Sequence, residues 1–166
     1  MTALQDERRL FASAMRIEHF AARRLGESIL VGVACRLQKP VRPVISFGFA
    51  GALTCGLTIG DIIDATKVVD KNGTVLWEGN PLGVVNAYTG TVVESDHIVN
   101  SAHERARLHI QSGADIVDME SGIYARGGLL RGCVRIVSDT PSERLFSLRV
   151  VKFGPKALAA LHTVSF

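Results

Sequence analysis

Cysteine is scarce in this sequence. Cys35, Cys55 and Cys133 are the three in 166 residues. Their odd number and wide spacing argue against a disulfide framework, and without a CxxC or Cys-His spacing they suggest no zinc site. No metal and no cofactor are expected, and a reducing compartment fits best. Long apolar runs are also missing. The longest, Ile29 to Cys35, contains Gly32 and falls far short of the ~20 residues that cross a bilayer. Charge of one sign does not collect either: 19 basic and 16 acidic residues are scattered to a net +3, so no basic stripe tracks a phosphate backbone and a nucleic-acid partner is not expected. The opening MTALQDERRL mixes acids and arginines where a secretory signal needs an apolar stretch, which makes the cytoplasm the expected location. No Pro/Gly/Ser-rich linker or repeat divides the chain, so residues 1–166 read as a single domain.

What is present is apolar and periodic. A hydrophobic fraction of 47% suffices for a two- or three-layer core. Short β-branched runs bounded by Gly, Pro or Asn predict strands at Ile29–Val33, Val44–Phe47, Asp61–Val69, Thr74–Trp77, Val84–Val93, Asp115–Asp118 and Val134–Val137. Apolar residues at three- and four-residue intervals predict helices over Ile17–Leu25, Ile98–Ile110 and Glu120–Leu130, with a weaker pattern over Ser142–Leu161 broken by Gly154-Pro155. Alternation of this kind implies an α/β sandwich with much of the sheet parallel. Ligands in such folds gather at strand ends, which directs attention to four places.

The first is SFGFAGAL, where Gly48 and Gly51, followed by Gly56, read as a glycine loop able to bring backbone amides close to an anion or a sugar, or equally as a tight structural turn. It is no dinucleotide fingerprint, because LTIGDII leads into another strand. The second is DMES. Glu120 stands where a strand meets a helix, and its carboxylate can accept both ribose hydroxyls beside a pliable Met119; capping by Asp118 or Glu120 is the bland alternative. The third is RIVSD, in which Asp139, after Ser138, could protonate a leaving base or form an ordinary Asx turn. The fourth is Glu18, which alone reads as a solvated helix-start glutamate.

Together and in this order, SFGFAGAL, IGDII, DMES and RIVSD resemble the purine nucleosidase and nucleoside phosphorylase superfamily, from about Leu10 to Glu143. The likeness is strongest to its 5′-methylthioadenosine/S-adenosylhomocysteine nucleosidase branch and its hopanoid-associated phosphorylase group. The resemblance implies a three-layer α/β sandwich with a mixed, largely parallel central sheet, trimmed near the N-terminus, because few residues separate Glu18 from the glycine loop. It implies that Glu18 activates water and Asp139 serves the purine, that Met119 and Glu120 bind ribose next to Ser138, that Ile98 and Val99 hold the base, and that Phe49, Ala50 and Gly51 hold the nucleophile. The partner is then a small purine nucleoside, and the assembly a homo-oligomer, commonly a dimer.

For the chemistry, Asp139 is expected to be raised in proton affinity by desolvation and Glu18 to be ionised. Water is the expected nucleophile. SFGFAGAL carries no cation, Phe49 stands where relatives carry a hydroxyl, and neither Arg42 nor Arg135 is placed by sequence to bind phosphate. The expected activity is hydrolysis of a 5′-substituted adenosine-type nucleoside. The alternatives are a phosphate-dependent purine nucleoside phosphorylase and a non-catalytic purine-binding relative.

Overall fold

A computed structural model describes residues 9–142 and 155–166. The chain opens with strand β1 (Leu10–Ser13), helix α1 (Arg16–Ala22), β2 (Glu27–Leu30) and a short 3-10 turn over Val33–Cys35. Then follow β3 (Val44–Ala52), β4 (Ile62–Val69), β5 (Val75–Glu78), β6 (Tyr88–Glu94), α2 (Ala102–Ser112), β7 (Ile116–Asp118), α3 (Ser121–Arg126) and β8 (Leu130–Asp139), with α4 (Pro155–Thr163) last. The helical pattern read over Ser142–Leu161 lies partly outside the described residues; from Pro155 on it belongs to α4, while Ser142 is not helical.

The sheet is mixed and largely parallel, as expected. β1 pairs in parallel with β2 and β3, β3 with β8, β4 with β6, and β6 with β7, whereas β3–β7, β4–β5 and β4–β8 are antiparallel. Because β8 pairs with both β3 and β4, the path β3-β7-β6-β4 closes on itself through β8. A closed ring of five strands with few helices is therefore what positions the site, and β1 and β2 extend it from β3. The sequence makes β3 central: its first seven residues, VISFGFA, are all buried, the near-continuous apolar run expected of a strand covered on both faces. Phe47 and Phe11 meet edge to face with ring centroids 5.9 Å apart at 83°, a geometry worth about 0.5–1.5 kcal/mol beyond its buried area.

Several boundaries differ from the sequence reading, among them the helix predicted over Glu120–Leu130, which ends at Arg126 where β8 begins at Leu130; for three of them the local reason is plain. The glycine loop is not a loop, because Gly48 and Gly51 lie inside β3; within a strand they mark close approach by other groups. Helix α2 starts at Ala102 because the Ser101 hydroxyl caps it, accepting from the Glu104 amide at 3.1 Å, and Gly113 ends it at φ 69°. Ile98 and Val99 are consequently left in the irregular segment ahead of the helix. β6 starts at Tyr88 and not Val84, since the Asp64 carboxylate gathers the amides of Leu82, Gly83 and Val84 at 2.9–3.1 Å and holds that segment as a loop. Trp77 on β5 is partly buried against the core. No helix among the described residues is long and apolar enough to cross a membrane.

Candidate active site

One cleft is lined by Glu18, Phe49, Ala50, Gly51, Ile98, Val99, Met119, Glu120, Ser138 and Asp139, together with Ala14, Met15, Val33, His97, Arg105, Val117 and Asp118. The fold thus brings all ten sequence-selected residues to one space from five separate segments.

Glu18 is the third residue of α1, and is 2% exposed. The solvated helix-start reading of it is wrong for that reason. One carboxylate oxygen accepts from the Met15 amide at 2.8 Å, as first-turn acids do, and the other accepts from the Phe49 amide at 2.8 Å. The approach is close because residue 48 lacks a side chain: a Cβ there would stand 2.5 Å from Glu18 Oε1. The glycine strand therefore turns an amide toward an anion, as expected, but the anion is the protein's own. Burial pushes the Glu18 carboxyl up to about 7, against the opposing pull of the Phe49 amide, with the nearby Glu120 adding to the rise.

Glu120 begins α3 yet makes no side-chain cap. Asp118 caps instead, accepting from the Ser121 hydroxyl at 2.6 Å and its amide at 3.3 Å, which releases Glu120 to turn into the cleft. There it accepts from the Ala34 amide at 3.0 Å. That amide is presented by a turn in which Ala34 and Cys35 both sit at left-handed φ, 52° and 55°, a conformation non-glycine residues adopt at a cost of order 1 kcal/mol each. Burial first, and then Asp118, push the Glu120 carboxyl above its ordinary value. Arg135, 2% exposed, completes this corner by donating through Nε to Asp118 at 2.8 Å and through Nη2 to the Ser46 hydroxyl at 2.5 Å.

Asp139 ends β8 at 3% exposure. Ser138 Oγ donates to its Oδ1 at 2.7 Å, and the guanidinium of Arg105 donates to Oδ2 in a close buried ion pair. The expected assignment of the two acids is therefore corrected in part. Glu18, expected to be ionised, is pushed up by desolvation; Asp139 stands between two donors with both oxygens accepting. Arg105 also corrects the view that no cation reaches the glycine segment: a Cβ at Gly51 would lie 3.1 Å from Asp139 Oδ2 and 3.2 Å from Arg105 Nη1. Arg42, by contrast, pairs with Glu27 at the surface.

Sequence reasoning missed Arg105 because helical charges usually face water. The available signal was its three-residue offset from Leu108, since these two are the buried residues of α2. The Ala34 amide carried no side-chain signal at all. Among the described residues no cluster of His, Cys, Asp and Glu could hold a metal ion, and Cys35, Cys55 and Cys133 are free thiols.

No family model matches the sequence, and no curated protein matches it. Solved structures do. The 5′-methylthioadenosine/S-adenosylhomocysteine nucleosidase of Neisseria meningitidis, in complex with methylthio-immucillin-A, superposes with a TM-score of 0.66 at 18% identity, covering 92% of this chain and 94% of that one. The S-adenosylhomocysteine nucleosidase of Streptococcus pyogenes gives 0.62 at 17% identity over 92% and 93% of the two chains. Futalosine hydrolase of Helicobacter pylori gives 0.61 at 15%, over 92% and 90%. At these identities the likeness is one of architecture: the chain shares the fold of these nucleosidases and of futalosine hydrolase.

Proposed function

We propose that this chain hydrolyses the N-glycosidic bond of a purine nucleoside, of the 5′-substituted adenosine type, to free base and free sugar. The observation that carries the reading is the convergence of three buried carboxylates, Glu18, Glu120 and Asp139, on one cleft beside the glycine-bearing strand β3. Three acids suit the three tasks of the reaction. Asp139 serves the departing purine: ionised against Arg105, its carboxylate takes up a proton from solvent as the nucleoside binds and passes it to the base, which makes the base a better leaving group. Glu120 accepts from ribose hydroxyls and steadies the cation-like sugar, while Glu18 takes a proton from the water that attacks its C1. Met119 lies along the sugar, and Ile98 and Val99 along the base, with Ala50, Gly51 and Phe49 beside the water. The likeness to nucleosidases, one of them in complex with a methylthio-immucillin, supports the substrate class.

Water is preferred over phosphate as nucleophile because both buried arginines of the site already face carboxylates, Arg105 on Asp139 and Arg135 on Asp118. A divalent anion would have to displace one of them. The cytoplasmic setting and the homodimer belong to the same proposal.

Glu120→Gln tests the sugar half of this reading. The amide accepts fewer hydroxyl hydrogen bonds and carries no charge opposite the developing cation, so kcat/KM is expected to fall about 100-fold. A 2′-deoxy substrate should be handled worse than its ribo counterpart by the parent, and nearly as well as it by the variant. Equal handling of both by the parent would remove Glu120 from ribose recognition.

A further inference from the structure

α2 turns its buried face inward through Leu108 and Arg105, and Arg105 is only 1% exposed. An aliphatic residue would fill that position without desolvating a charge, and a buried ion pair is seldom a gain in stability over apolar packing. Its placement therefore asks for a reason in the cleft. Arg105 Nη1 donates to the Ala52 carbonyl at 2.7 Å, at the end of β3, and Nη2 donates to Asp139 Oδ2, while Nε finds no acceptor. Gly51 makes room for both groups. On the other side Ser138 Oγ, itself 3.3 Å from the Ala50 carbonyl, holds Asp139 Oδ1. The Asp139 carboxylate is thus fixed at one oxygen by Ser138 and at the other by Arg105, and it is Arg105 that ties it to the backbone of β3.

We propose that Arg105 is a positioning residue for departure of the base, acting through Asp139 by tying its carboxylate to the end of β3. This rests on the glycosidic reading above. An acid that must meet one ring nitrogen of a purine loses much of its effect when displaced by about 1 Å, and Arg105 is the group that fixes the Asp139 oxygen not held by its neighbour Ser138.

The test compares two substrates. An ordinary purine nucleoside needs a proton on its base as the C1–N9 bond breaks. An N7-methylated purine nucleoside already carries that positive charge, and its base leaves neutral without one. Arg105→Met is expected to lower kcat on the ordinary nucleoside about 100-fold with KM within about threefold, and to change cleavage of the N7-methylated nucleoside less than about threefold. Arg105→Lys should restore kcat to within about tenfold of the parent. The double variant R105M/D139N, which leaves no orphaned charge and guards against a single variant that does not fold, should be no slower than D139N alone. Parent-like kcat in R105M, equal losses on both substrates, or multiplying losses in the double variant would overturn the role of Arg105. A parent chain that cleaves neither nucleoside would overturn the glycosidic reading on which it rests.

Discussion

Asp139→Asn is expected to reduce release of the base by at least about 100-fold, the lower end of what a positioned general acid contributes. Asparagine retains the shape and one acceptor oxygen, so the Ser138 or Arg105 contact can persist, but it has no carboxyl proton to deliver. It also leaves Arg105 as a buried cation without its counter-charge, and a loss of about 3–5 kcal/mol in stability is expected from that alone. Activity and thermal unfolding must therefore be read together, with turnover measured well below the variant's Tm. A folded Asn variant turning over at near the parent rate would remove Asp139 from the chemistry.

Glu18→Gln carries the second large effect, and it is visible in two independent measurements. As the base that activates water, Glu18 must be ionised. With its carboxyl pushed up to about 7, kcat/KM of the parent should rise with pH through that value and level off above it. The Gln variant should lose at least about 100-fold across the range. The same burial sets a stability signature. The folded-state value lies above the ordinary 4.5, so the protonated carboxyl is favoured by folding. That contribution is fully present below about 4.5 and is lost as pH rises through about 7. Above 7 the folded chain holds a buried anion at a cost of about 3 kcal/mol relative to the protonated form. Parent Tm should fall between pH 5 and pH 8, and this component of the slope should vanish in Glu18→Gln. The amide group will oppose one of the two N–H donors, from Met15 or Phe49, lowering Tm by a roughly pH-independent amount. Parallel Tm profiles for parent and variant would show that Glu18 is not the buried acid described here.

Which parts of this molecule were legible in its sequence follows from what each part depends on. β3, β4 and β8 announce themselves because a strand covered on both faces must be apolar along its length, and the polar residues at or beyond strand ends then stand out. Glu120 and Asp139 were found that way. Glu18 stands out in the same way after LFASAM, but its role rests on the resemblance alone, since nothing local in MRIEHF distinguishes a buried first-turn acid from a solvated one. The glycine segment was misread as a loop because glycine signals either a turn or a close approach. Here the groups that approach come from far along the chain: the Glu18 carboxylate from 30 positions before Gly48, and the Arg105–Asp139 pair from 54 and 88 positions after Gly51. Arg105 escaped because its burial is decided by where α2 docks and not by the helix's own pattern. The Ala34 amide escaped because strain in a turn leaves no side-chain mark, and closure of the ring through β8 is a long-range pairing to which period and propensity are blind.

The central claim is tested most directly by incubating the purified chain with a 5′-substituted adenosine such as methylthioadenosine in phosphate-free buffer and following free base and free reducing sugar together, before and after phosphate is added. Equimolar release of adenine and sugar, unchanged by phosphate and with the sugar hydroxyl at C1 drawn from solvent water, is the predicted result. A strict requirement for phosphate with a sugar 1-phosphate as product, or no base release at all from a folded chain, would contradict it.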